Sequence, residues 1–490
     1  MILRELLRKD FDVKGDINRE ILNLCYNSKD VKEGSIFVAI SGGKTDGHLF
    51  IEEAIKNGSI AIVYEKGKIL PQNDSVTWIA VNDTRNALAW LSSRFYGNPS
   101  EKVKMIGITG TNGKTTTSYL IREILKKYGK KTGIIGTIKY LIDEEEKAAI
   151  HTTPEAPEFQ GLLHEMVQKG VEYVISEVSS HALALKRVDY TQFDVAVFTN
   201  LSRDHLDFHK DMDDYFQAKK RLFTDLLKEE GIAVINIDDE YGRRLAQEIK
   251  NEKILYSLQN PEAHIYVKNY RLKFKETEIV FSINDEELFV KTPLLGVPNI
   301  YNVASAVSVA FSLNIPPDII VSALSEVCSP EGRFEKVDVG QDFLVFVDYA
   351  HTPDALERLL LSVKKLKENL SKDGRIITVF GCGGNRDKGK RPEMGKIATE
   401  LSDMVILTSD NPRWEEPGEI IKDIEEGISK DNYIVVPDRA MSLWIATRIC
   451  KNGDILIVAG KGHEDYQEIK GRRYHLSDKE VLTKALKGLK

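Results

Sequence analysis

The sequence predicts an α/β protein of three domains, and three observations support this prediction. The 490 residues exceed one ordinary core, since a domain usually holds about 100–200 residues. Short apolar runs alternate with segments of helical period, a pattern typical of parallel sheets covered by helices. Breaker residues then divide this pattern into blocks at residues 1–98, 99–333 and 334–490.

The first block predicts a small N-terminal α/β domain. A helix is expected at NALAWLSSRFY (86–96), just before the breaker GNPS at 97–100. The predicted strands are SIFVAI (35–40), IAIVYE (60–65) and WIAV (78–81).

The second block predicts a central, doubly wound sheet that carries a phosphate-binding loop. Its first strand, VKMIGITG (103–110), ends in glycine and is followed by the helical pattern TTSYLIREILKKYG. Ligands of such sheets bind at the carboxyl ends of the strands. Alternation at period two between 265 and 283 predicts an antiparallel appendage. Further predicted strands are VEYVISEV (171–178), FDVAVFTN (193–200) and IAVIN (232–236).

The third block predicts a C-terminal, Rossmann-like sheet. Four apolar runs each end in polar or glycine-rich residues, as strands that point toward a ligand site do. These runs are FLVFVDYA, RIITVFG, MVILTSD and DILIVAG.

Composition excludes several classes of protein. Hydrophobic residues make up 42% and charged residues 29%, as in ordinary globular proteins. The net charge of −7 with dispersed Lys and Arg argues against a nucleic-acid partner. The N-terminus lacks the apolar core of a signal peptide, and no run approaches the roughly 18 apolar residues of a membrane span. Four cysteines without CxxC spacing indicate neither disulfides nor zinc. We therefore expect a cytoplasmic protein without membrane insertion, and a monomer.

A phosphate-binding loop is predicted between the first strand and the first helix of the second block. Glycines let backbone N–H groups approach phosphates, Lys114 can reach the β and γ phosphates of ATP, and Thr115 can bind Mg²⁺. Ile108 stands where the general motif has its first glycine, so a chance glycine turn is the alternative. The loop residues are Gly110, Thr111, Asn112, Gly113, Lys114, Thr115 and Thr116.

GITGTNGKTTT resembles the form that this loop takes in the Mur ligase family, and other family-like segments follow in order along essentially the whole chain. They are HTTPEAP, SEVSSHAL, FTNLSRDHLDFH, YFQAKKRLF, NIYNVASA, EGRFE, VDYAHTPD, GCGGNRDKGKRP, DNPRWEEP and AGKGHEDYQ. The resemblance implies an ATP-dependent ligase of peptidoglycan synthesis. Its implied reaction joins meso-2,6-diaminopimelate to UDP-MurNAc-L-Ala-D-Glu through an acyl phosphate.

The resemblance also assigns catalytic and metal-binding residues. Thr115 and Glu177 would hold one Mg²⁺ and His205 a second, with Lys114, Lys219 and His205 in catalytic roles. Lys219 would carry CO₂ as a carbamate beside the second ion, which requires a neutral amine and hence a lowered pKa. Taken alone, His205 is an ordinary loop histidine and Lys219 a solvated helix lysine. The neighbouring Lys220 is the alternative carrier of the carbamate.

Nucleotide and precursor contacts follow from the same resemblance. Asn302, Arg333 and Asp348 would approach the adenine and ribose or close over the phosphates, although Arg333 can equally be a hinge residue. His351 is a weaker candidate. The precursor-binding residues would be Ser28, Thr152, Thr153, Ser179 and Arg187, since hydroxyls and arginine suit a pyrophosphate and a carboxylate. The triplet Asn27-Ser28-Lys29 departs from the acidic-Ser-Arg form usual in the family.

The segment DNPR resembles the form that selects diaminopimelate in this family. Arg413 and Arg386 would clamp the distal carboxylate, while Asp410 and Glu464 would accept from the distal ammonium. A simple Asn-Pro turn describes the backbone equally well but leaves Arg413 unexplained. The full amino-acid-binding set is Arg386, Asp410, Asn411, Pro412, Arg413, Gly460 and Glu464.

Three other functions stay open at this point. An enzyme of the same family can add L-lysine at the same step. A folylpolyglutamate synthetase shares much of the pattern but does not need the block that contains Ser28. A P-loop switch or motor protein would hydrolyse ATP without an amino acid and does not need the DNPR segment.

Overall fold

The computed structural model describes residues 1–42, 45–68, 71, 73–370 and 373–488. Among these residues, no helix is long and apolar enough to cross a bilayer. Both strands and helices are found throughout, which confirms the predicted α/β class. The chain folds into two compact units, one formed by Met1–Lys114 and Leu125–Leu255, the other by Thr115–Ile124 and Tyr256–Lys490.

The first unit begins with a sheet of mainly parallel strands. These are β1 (Asp12–Lys14), β2 (Asn23–Cys25), β3 (Ser35–Val38), β4 (Ser59–Glu65) and β5 (Thr77–Val81), with helices α1 (Leu3–Leu6), α2 (Ile51–Lys56) and α3 (Thr84–Phe95). The strand order is β1-β5-β4-β3-β2, with β1 antiparallel to β5. Ile36, Val38 and Val63 are fully buried in its core. The three strands and the helix predicted for this block are confirmed.

The second sheet of this unit is the predicted doubly wound sheet. Its order β12-β11-β6-β10-β7-β8-β9 places β6 between two later strands, so the loop after β6 lies at a topological switch point. The strands are β6 (Lys104–Thr109), β7 (Thr132–Ile135), β8 (Lys139–Ile142), β9 (Glu145–Ala148), β10 (Tyr173–Glu177), β11 (Phe193–Phe198) and β12 (Leu227–Asn236). The helices along this stretch of chain are α4 (Lys114–Lys127), α5 (Ala156–Gln168), α6 (Ser180–Ala184), α7 (Met212–Thr224) and α8 (Glu240–Glu248).

Side-chain caps fix where the helices around this sheet begin. The Ser179 hydroxyl accepts from the N–H of Ala182 at the start of α6. The Asp211 carboxylate accepts from the N–H of Asp214 at the start of α7. Capping of this kind stabilises a helix by about 1 kcal/mol and sets the phase of its faces. The phase of α7 matters because Lys219 lies on this helix.

The second unit contains the predicted antiparallel appendage. β14 pairs antiparallel with β15, and β15 with β16. The elements here are β13 (Lys253–Ser257), β14 (Ile265–Leu272), β15 (Thr277–Ile283), β16 (Glu286–Thr292), α9 (Val297–Ser312) and α10 (Pro317–Glu326).

The predicted C-terminal sheet follows in the same unit. Its strands are β17 (Glu335–Lys336), β18 (Leu344–Asp348), β19 (Ile376–Phe380), β20 (Met404–Leu407), β21 (Tyr433–Val435) and β22 (Ile455–Ala459). They lie in the order β17-β18-β22-β19-β20-β21, all parallel except β17. The helices are α11 (Pro353–Leu370), α12 (Lys390–Leu401), α13 (Pro417–Glu425), α14 (Arg439–Ile449) and α15 (Asp478–Lys487), and a hairpin is formed by β23 (Tyr466–Ile469) and β24 (Arg472–His475).

A fully buried ion pair lies under the strand ends of this sheet. Nε and Nη2 of Arg439 each lie 2.7 Å from an oxygen of Asp478, and neither side chain is exposed. The same guanidinium donates to the carbonyls of Ser409, at 3.2 Å, and Ala459, at 3.1 Å. These carbonyls follow β20 and end β22, so the pair fastens the loops that leave both strands.

Replacing Asp478 with Ala should lower the free energy of unfolding by about 3–5 kcal/mol, because it leaves a buried guanidinium without its counter-ion. Chemical denaturation with hydrogen exchange at α14 measures this change. Glu480→Ala is the matched control on the same helix, because Glu480 is half-exposed and its pair with His475 lies at the surface. A loss for Asp478→Ala no larger than that of the control would contradict the role of the pair.

Candidate active site

The loop after β6 needs glycine at two positions. Gly110 and Gly113 have φ values of 148° and 87°, which side chains disfavour. A Cβ on Gly110 would also overlap Thr199 Oγ1. The backbone is therefore exposed to a ligand just before α4, where N–H groups and the helix dipole favour phosphate.

The segment after β11 holds this loop in place. Asn200 Oδ1 accepts from the N–H of Asn112 at 3.0 Å, and its Nδ2 donates to the Asn112 carbonyl at 3.1 Å. Thr199 Oγ1 donates to the same carbonyl at 2.6 Å, and Thr111 Oγ1 lies 3.2 Å from the hydroxyl of Tyr215. Thr199 and Asn200 lie in the family-like segment FTNLSRDHLDFH, but no role was predicted for either residue from the sequence.

Lys114 begins α4 and folds back over the loop. Its Nζ donates to the carbonyls of Gly110, at 2.9 Å, and Thr111, at 3.0 Å. Thr115 and Thr116, the next two residues of the helix, are each 6% exposed. The order Gly-Lys-Thr is thus realised as a strand, loop and helix, the context that phosphate binding requires.

Lys219 is buried on α7 and donates to the Gly110 carbonyl at 3.0 Å. Its Nζ also lies 4.6 Å from the centre of the Tyr215 ring. Burial lowers the pKa of Lys219 well below its ordinary value, and the nearby charge of Lys114 lowers it further. Lys220 instead forms an ion pair with Glu248 at 2.7 Å. Of the two neighbouring lysines, Lys219 has the environment that a neutral amine requires.

Three histidines surround the start of α7. The ring of His205 lies 4.8 Å from that of His181 and 6.0 Å from that of Tyr215. His181 also lies 5.8 Å from His209, and burial lowers the pKa of His181 to about 4. Partial burial likewise lowers the pKa of His205, which favours the neutral imidazole that binds metals.

Glu177 ends β10 and is fully buried. Its carboxylate accepts from the N–H and the hydroxyl of Thr137, both at 3.0 Å. The Thr137 hydroxyl also lies 3.1 Å from that of Thr152. A Cβ on Gly136 would overlap Glu177, so the close approach depends on glycine. In the described part of the chain no cluster of three or more His, Cys, Asp or Glu residues is arranged to hold a metal.

Three of the predicted precursor-binding residues lie together. Thr153 Oγ1 lies 3.3 Å from Ser179 Oγ, and the Thr153 carbonyl accepts from Arg187 at 3.0 Å. Arg187 also forms an ion pair with Glu155 at 2.8 Å. Ser28 lies in the first sheet domain, where its hydroxyl donates to Glu53 at 2.6 Å.

The residues of the second unit that were predicted to bind the nucleotide lie in two places, on α9 and around the end of β18. Asn302 is buried on α9 and donates to Asn299 Oδ1 at 3.0 Å. At the end of β18, Asp348 accepts from the N–H groups of Phe334 and Ala350, and burial raises its pKa. Arg333 lies 5.0 Å from the centre of the Tyr349 ring. His351 is exposed, and its Nδ1 lies 2.8 Å from the Tyr349 carbonyl.

The DNPR segment follows β20 and packs against the loop after β22. The Asn411 side chain donates to Glu464 Oε2 at 2.9 Å. Asp410, the residue before Asn411, is buried. A Cβ on Gly460, which has a φ of 114°, would lie 2.9 Å from Asp410 Oδ2. Asp410, Asn411, Gly460 and Glu464 are therefore brought together as one group.

Two arginines flank the loop after β19. A Cβ on Gly383 would lie 3.0 Å from Arg413 Nη1 and 3.8 Å from Arg386 Cγ. Arg413 is itself held by the Gly384 carbonyl, at 2.8 Å, and by Glu468, at 3.3 Å. Arg386 lies on the loop after β19 and Arg413 on the loop after β20, and both side chains approach Gly383.

Arg391 supports this loop and was not predicted from the sequence. It is fully buried and bonds to Glu415 at 2.9 and 3.0 Å, to Asp423 at 2.7 Å and to the Gly383 carbonyl at 3.3 Å. The bond from Arg391 lowers the pKa of Glu415 to about 2. A Cβ on Gly384 would overlap the Pro412 carbonyl, so only glycine fits at that position of the loop.

Comparison with known proteins decides the family. Three models match in chain order, "Mur ligase family, catalytic domain" over residues 20–96, "Mur ligase middle domain" over 108–310 and "Mur ligase, glutamate ligase domain" over 332–462.

The chain belongs to the Mur ligase family.

Full-length relatives and a solved structure agree with this family. The chain is 43% identical over 479 residues to the UDP-N-acetylmuramoyl-L-alanyl-D-glutamate--2,6-diaminopimelate ligase of Caldanaerobacter subterraneus subsp. tengcongensis, covering 97% of this chain and 96% of that one. It is 45% identical to the ligase of the same name from Aquifex aeolicus, covering 96% and 95%. A solved structure of a ligase of that name matches with a TM-score of 0.72 at 30% identity, covering 100% and 99%. The predicted three-domain architecture is confirmed.

A Lys219→Met protein in CO₂-free buffer should be more stable than the wild type near pH 7. The pKa of Lys219 is well below 10.5 in the folded protein and returns to 10.5 in the unfolded chain. Unfolding therefore takes up a proton between these two values, and wild-type stability rises with pH up to the ordinary pKa of 10.5. The advantage of Lys219→Met in melting temperature should therefore shrink between about pH 7 and about pH 9.

Lys220→Met is the control for this measurement, because Lys220 sits in a partly exposed pair with Glu248 and should change stability by less than about 1 kcal/mol. A Lys219→Met protein that melts below the wild type, or a difference that does not vary with pH, would show that Lys219 is charged when buried.

Proposed function

We propose that this protein joins meso-diaminopimelate to UDP-MurNAc-L-Ala-D-Glu in an ATP-dependent reaction of peptidoglycan synthesis. The observation that carries the proposal is the arrangement after β19, β20 and β22, where Arg386 and Arg413 flank one loop and Asp410 and Glu464 lie beside Asn411. Cations and carboxylates in one site suit a substrate whose distal carbon bears both a carboxylate and an ammonium group. The names of the full-length relatives support the same substrate.

ATP is assigned to the loop after β6 together with Asn302, Arg333 and Asp348. Lys114 would bind the β and γ phosphates, replacing its present bonds to the loop carbonyls. Arg333 lies just before β17, and Asp348 ends β18, the strand that pairs with β17. Asp348 is already fixed by two backbone donors. We therefore propose Arg333 as a nucleotide contact rather than a hinge residue.

Two Mg²⁺ ions would complete the nucleotide site. Thr115 and Glu177 would hold one ion, and His205 and carbamylated Lys219 the other. Mg²⁺ prefers hard oxygen ligands and is commonly bound by only one or two carboxylates plus phosphate oxygens, which fits so sparse a set of protein donors. When bound, the ions would neutralise charge on the phosphates and on the transferring phosphoryl group.

A carbamate on Lys219 is supported by the burial of its amine. A neutral amine can attack CO₂, whereas an ammonium cannot, and both burial and Lys114 favour the neutral form. The product is an anion in the same place, which the Lys114 charge would then stabilise. The oxygen atoms of a carbamate are also hard ligands.

The reaction begins when the terminal carboxylate of the precursor attacks the γ-phosphorus of ATP and the bond to the β-phosphate breaks, giving an acyl phosphate and ADP. Lys114 would stabilise the charge on the transferring group. The neutral amine of diaminopimelate then attacks the acyl carbon, and phosphate leaves from the tetrahedral intermediate as the amine loses a proton. Asp410 and Glu464 would orient the amino acid, so that much of the rate gain comes from positioning.

Binding of the UDP-linked precursor is assigned to the 1–98 domain, through Ser28, and to Thr152, Thr153, Ser179 and Arg187 of the 99–333 domain. Arg187 is already paired with Glu155, so a substrate carboxylate would share or displace that bond. The 334–490 domain would bind the amino acid.

We further propose a cytoplasmic monomer without a nucleic-acid partner. The four cysteines are unpaired, as expected in a reducing compartment. A folylpolyglutamate synthetase is disfavoured because full-length diaminopimelate ligases align with the chain through its first domain. A switch or motor protein is disfavoured by the arginine and carboxylate groups after β19, β20 and β22.

ATP consumption with UDP-MurNAc-L-Ala-D-Glu and a panel of amino acids tests this function. Turnover should require the precursor together with an amino acid, and meso-diaminopimelate should give the highest kcat/KM. Equal use of L-lysine would overturn the substrate assignment while leaving the ligase intact. Rapid ATP turnover without any amino acid would instead favour the switch or motor protein.

Arg413→Ala should raise the KM for diaminopimelate about 10- to 100-fold, since it removes a charge-assisted bond to the distal carboxylate. The kcat/KM for lysine should change much less, so the preference for diaminopimelate over lysine should become smaller. Glu468 and the Gly384 carbonyl already hold Arg413, so lysine does not leave this cation wholly unpaired.

Arg472→Ala serves as the control for this variant, because Arg472 is exposed on β24. A parallel loss of kcat/KM for both amino acids would show that Arg413 shapes the loop rather than selecting the substrate.

A further inference from the structure

Lys461 is a fully buried lysine in the loop after β22. It stands between Gly460 and Gly462, whose φ values of 114° and 52° turn the backbone sharply on either side. A buried ammonium group is costly to desolvate, and an apolar side chain of similar size would often stabilise a fold at least as well. The presence of a lysine here therefore calls for a reason other than packing.

The acceptors around its ammonium group are the residues assigned to the amino acid. Nζ lies 3.3 Å from Asn411 Oδ1, 3.5 Å from Glu464 Oε2 and 4.0 Å from Asp410 Oδ1. One cation thus faces two carboxylates and an amide that come from two different loops. It offsets the mutual repulsion of the carboxylates and links both loops.

These contacts also fix the orientation of the Asn411 amide. Its Oδ1 accepts from Lys461 and from the N–H of Glu468, at 2.8 Å, while its Nδ2 donates to Glu464 at 2.9 Å. Rotating the amide by half a turn would place its NH₂ group against two donors. Lys461 therefore helps to hold Asn411 and Glu464 in a single arrangement.

We propose that Lys461 is a positioning residue for the incoming amino acid, an inference that rests on the proposed function. It keeps Asp410, Asn411 and Glu464 arranged to accept from the substrate's ammonium group, and it need not touch the substrate. Preorganised acceptors bind more tightly than acceptors that must first be ordered. Loss of Lys461 should therefore weaken amino-acid binding specifically.

Lys461→Met removes the charge and keeps most of the volume. The KM for meso-diaminopimelate should rise about 10-fold or more, while kcat at saturation and the KM values for ATP and the precursor stay within about 3-fold of the wild type. Lys461→Gln keeps a donor on a shorter side chain, so its KM should fall between those of the wild type and Lys461→Met. Steady-state kinetics with each substrate varied in turn, together with melting curves, gives all these values.

Lys470→Met is the control, because Lys470 is exposed and its Nζ pairs with the exposed Glu416 at 3.7 Å. An unchanged KM for diaminopimelate in Lys461→Met would overturn the inference, and so would equal losses for all three substrates. Failure of both Lys461 variants to fold would assign the residue to stability and overturn it as well. A wild-type enzyme that consumes no ATP with diaminopimelate would instead refute the proposed function itself.

Discussion

The carbonyl oxygen of Gly110 is the point on which the first unit's site depends. Two lysines donate to it, Lys114 at 2.9 Å and Lys219 at 3.0 Å, although the residues lie far apart in sequence. Thr199 packs so closely against Gly110 that no side chain fits there. The ends of β6 and β11 and one face of α7 therefore meet at Gly110. The loop after β6, the start of α4 and the buried lysine are all positioned by that meeting.

The second unit organises its loops by a different means, which is buried charge. Arg439, Arg391 and Lys461 are all fully buried, and each bonds to acceptors on loops that follow β19, β20 or β22. Loops at strand ends carry backbone carbonyls and polar side chains that an apolar core cannot satisfy. The buried cations donate hydrogen bonds to these carbonyls and polar side chains. In the proposed function, Asp410, Asn411 and Glu464, which Lys461 contacts, would bind the zwitterionic amino acid.

Sequence periodicity was enough to predict the sheets and, in principle, the register of the buried lysine. Tyr215, Phe216, Lys219 and Leu222 recur at helical spacing on one face of α7, and all four are buried. Contacts across loops were beyond such reasoning. The pairing of Lys461 with Asn411 joins residues from separate loops, and Thr137 meets Glu177 across the sheet. No periodic pattern records either pair, because tertiary folding alone brings them together.

Lys114 and Lys219 lie so close together in the first unit that the charge of Lys114 affects the pKa of Lys219. Burial lowers the pKa of Lys219 well below its ordinary value, and repulsion from Lys114, which bonds to the same carbonyl oxygen, lowers that pKa further. In the proposed function, the charge that Lys114 brings for phosphate binding would also favour the neutral amine of Lys219, which is the form that reacts with CO₂. Once a carbamate forms, repulsion between the two side chains becomes attraction. In the proposed function, a single loop oxygen would thus link nucleotide binding to the metal ligand formed on Lys219.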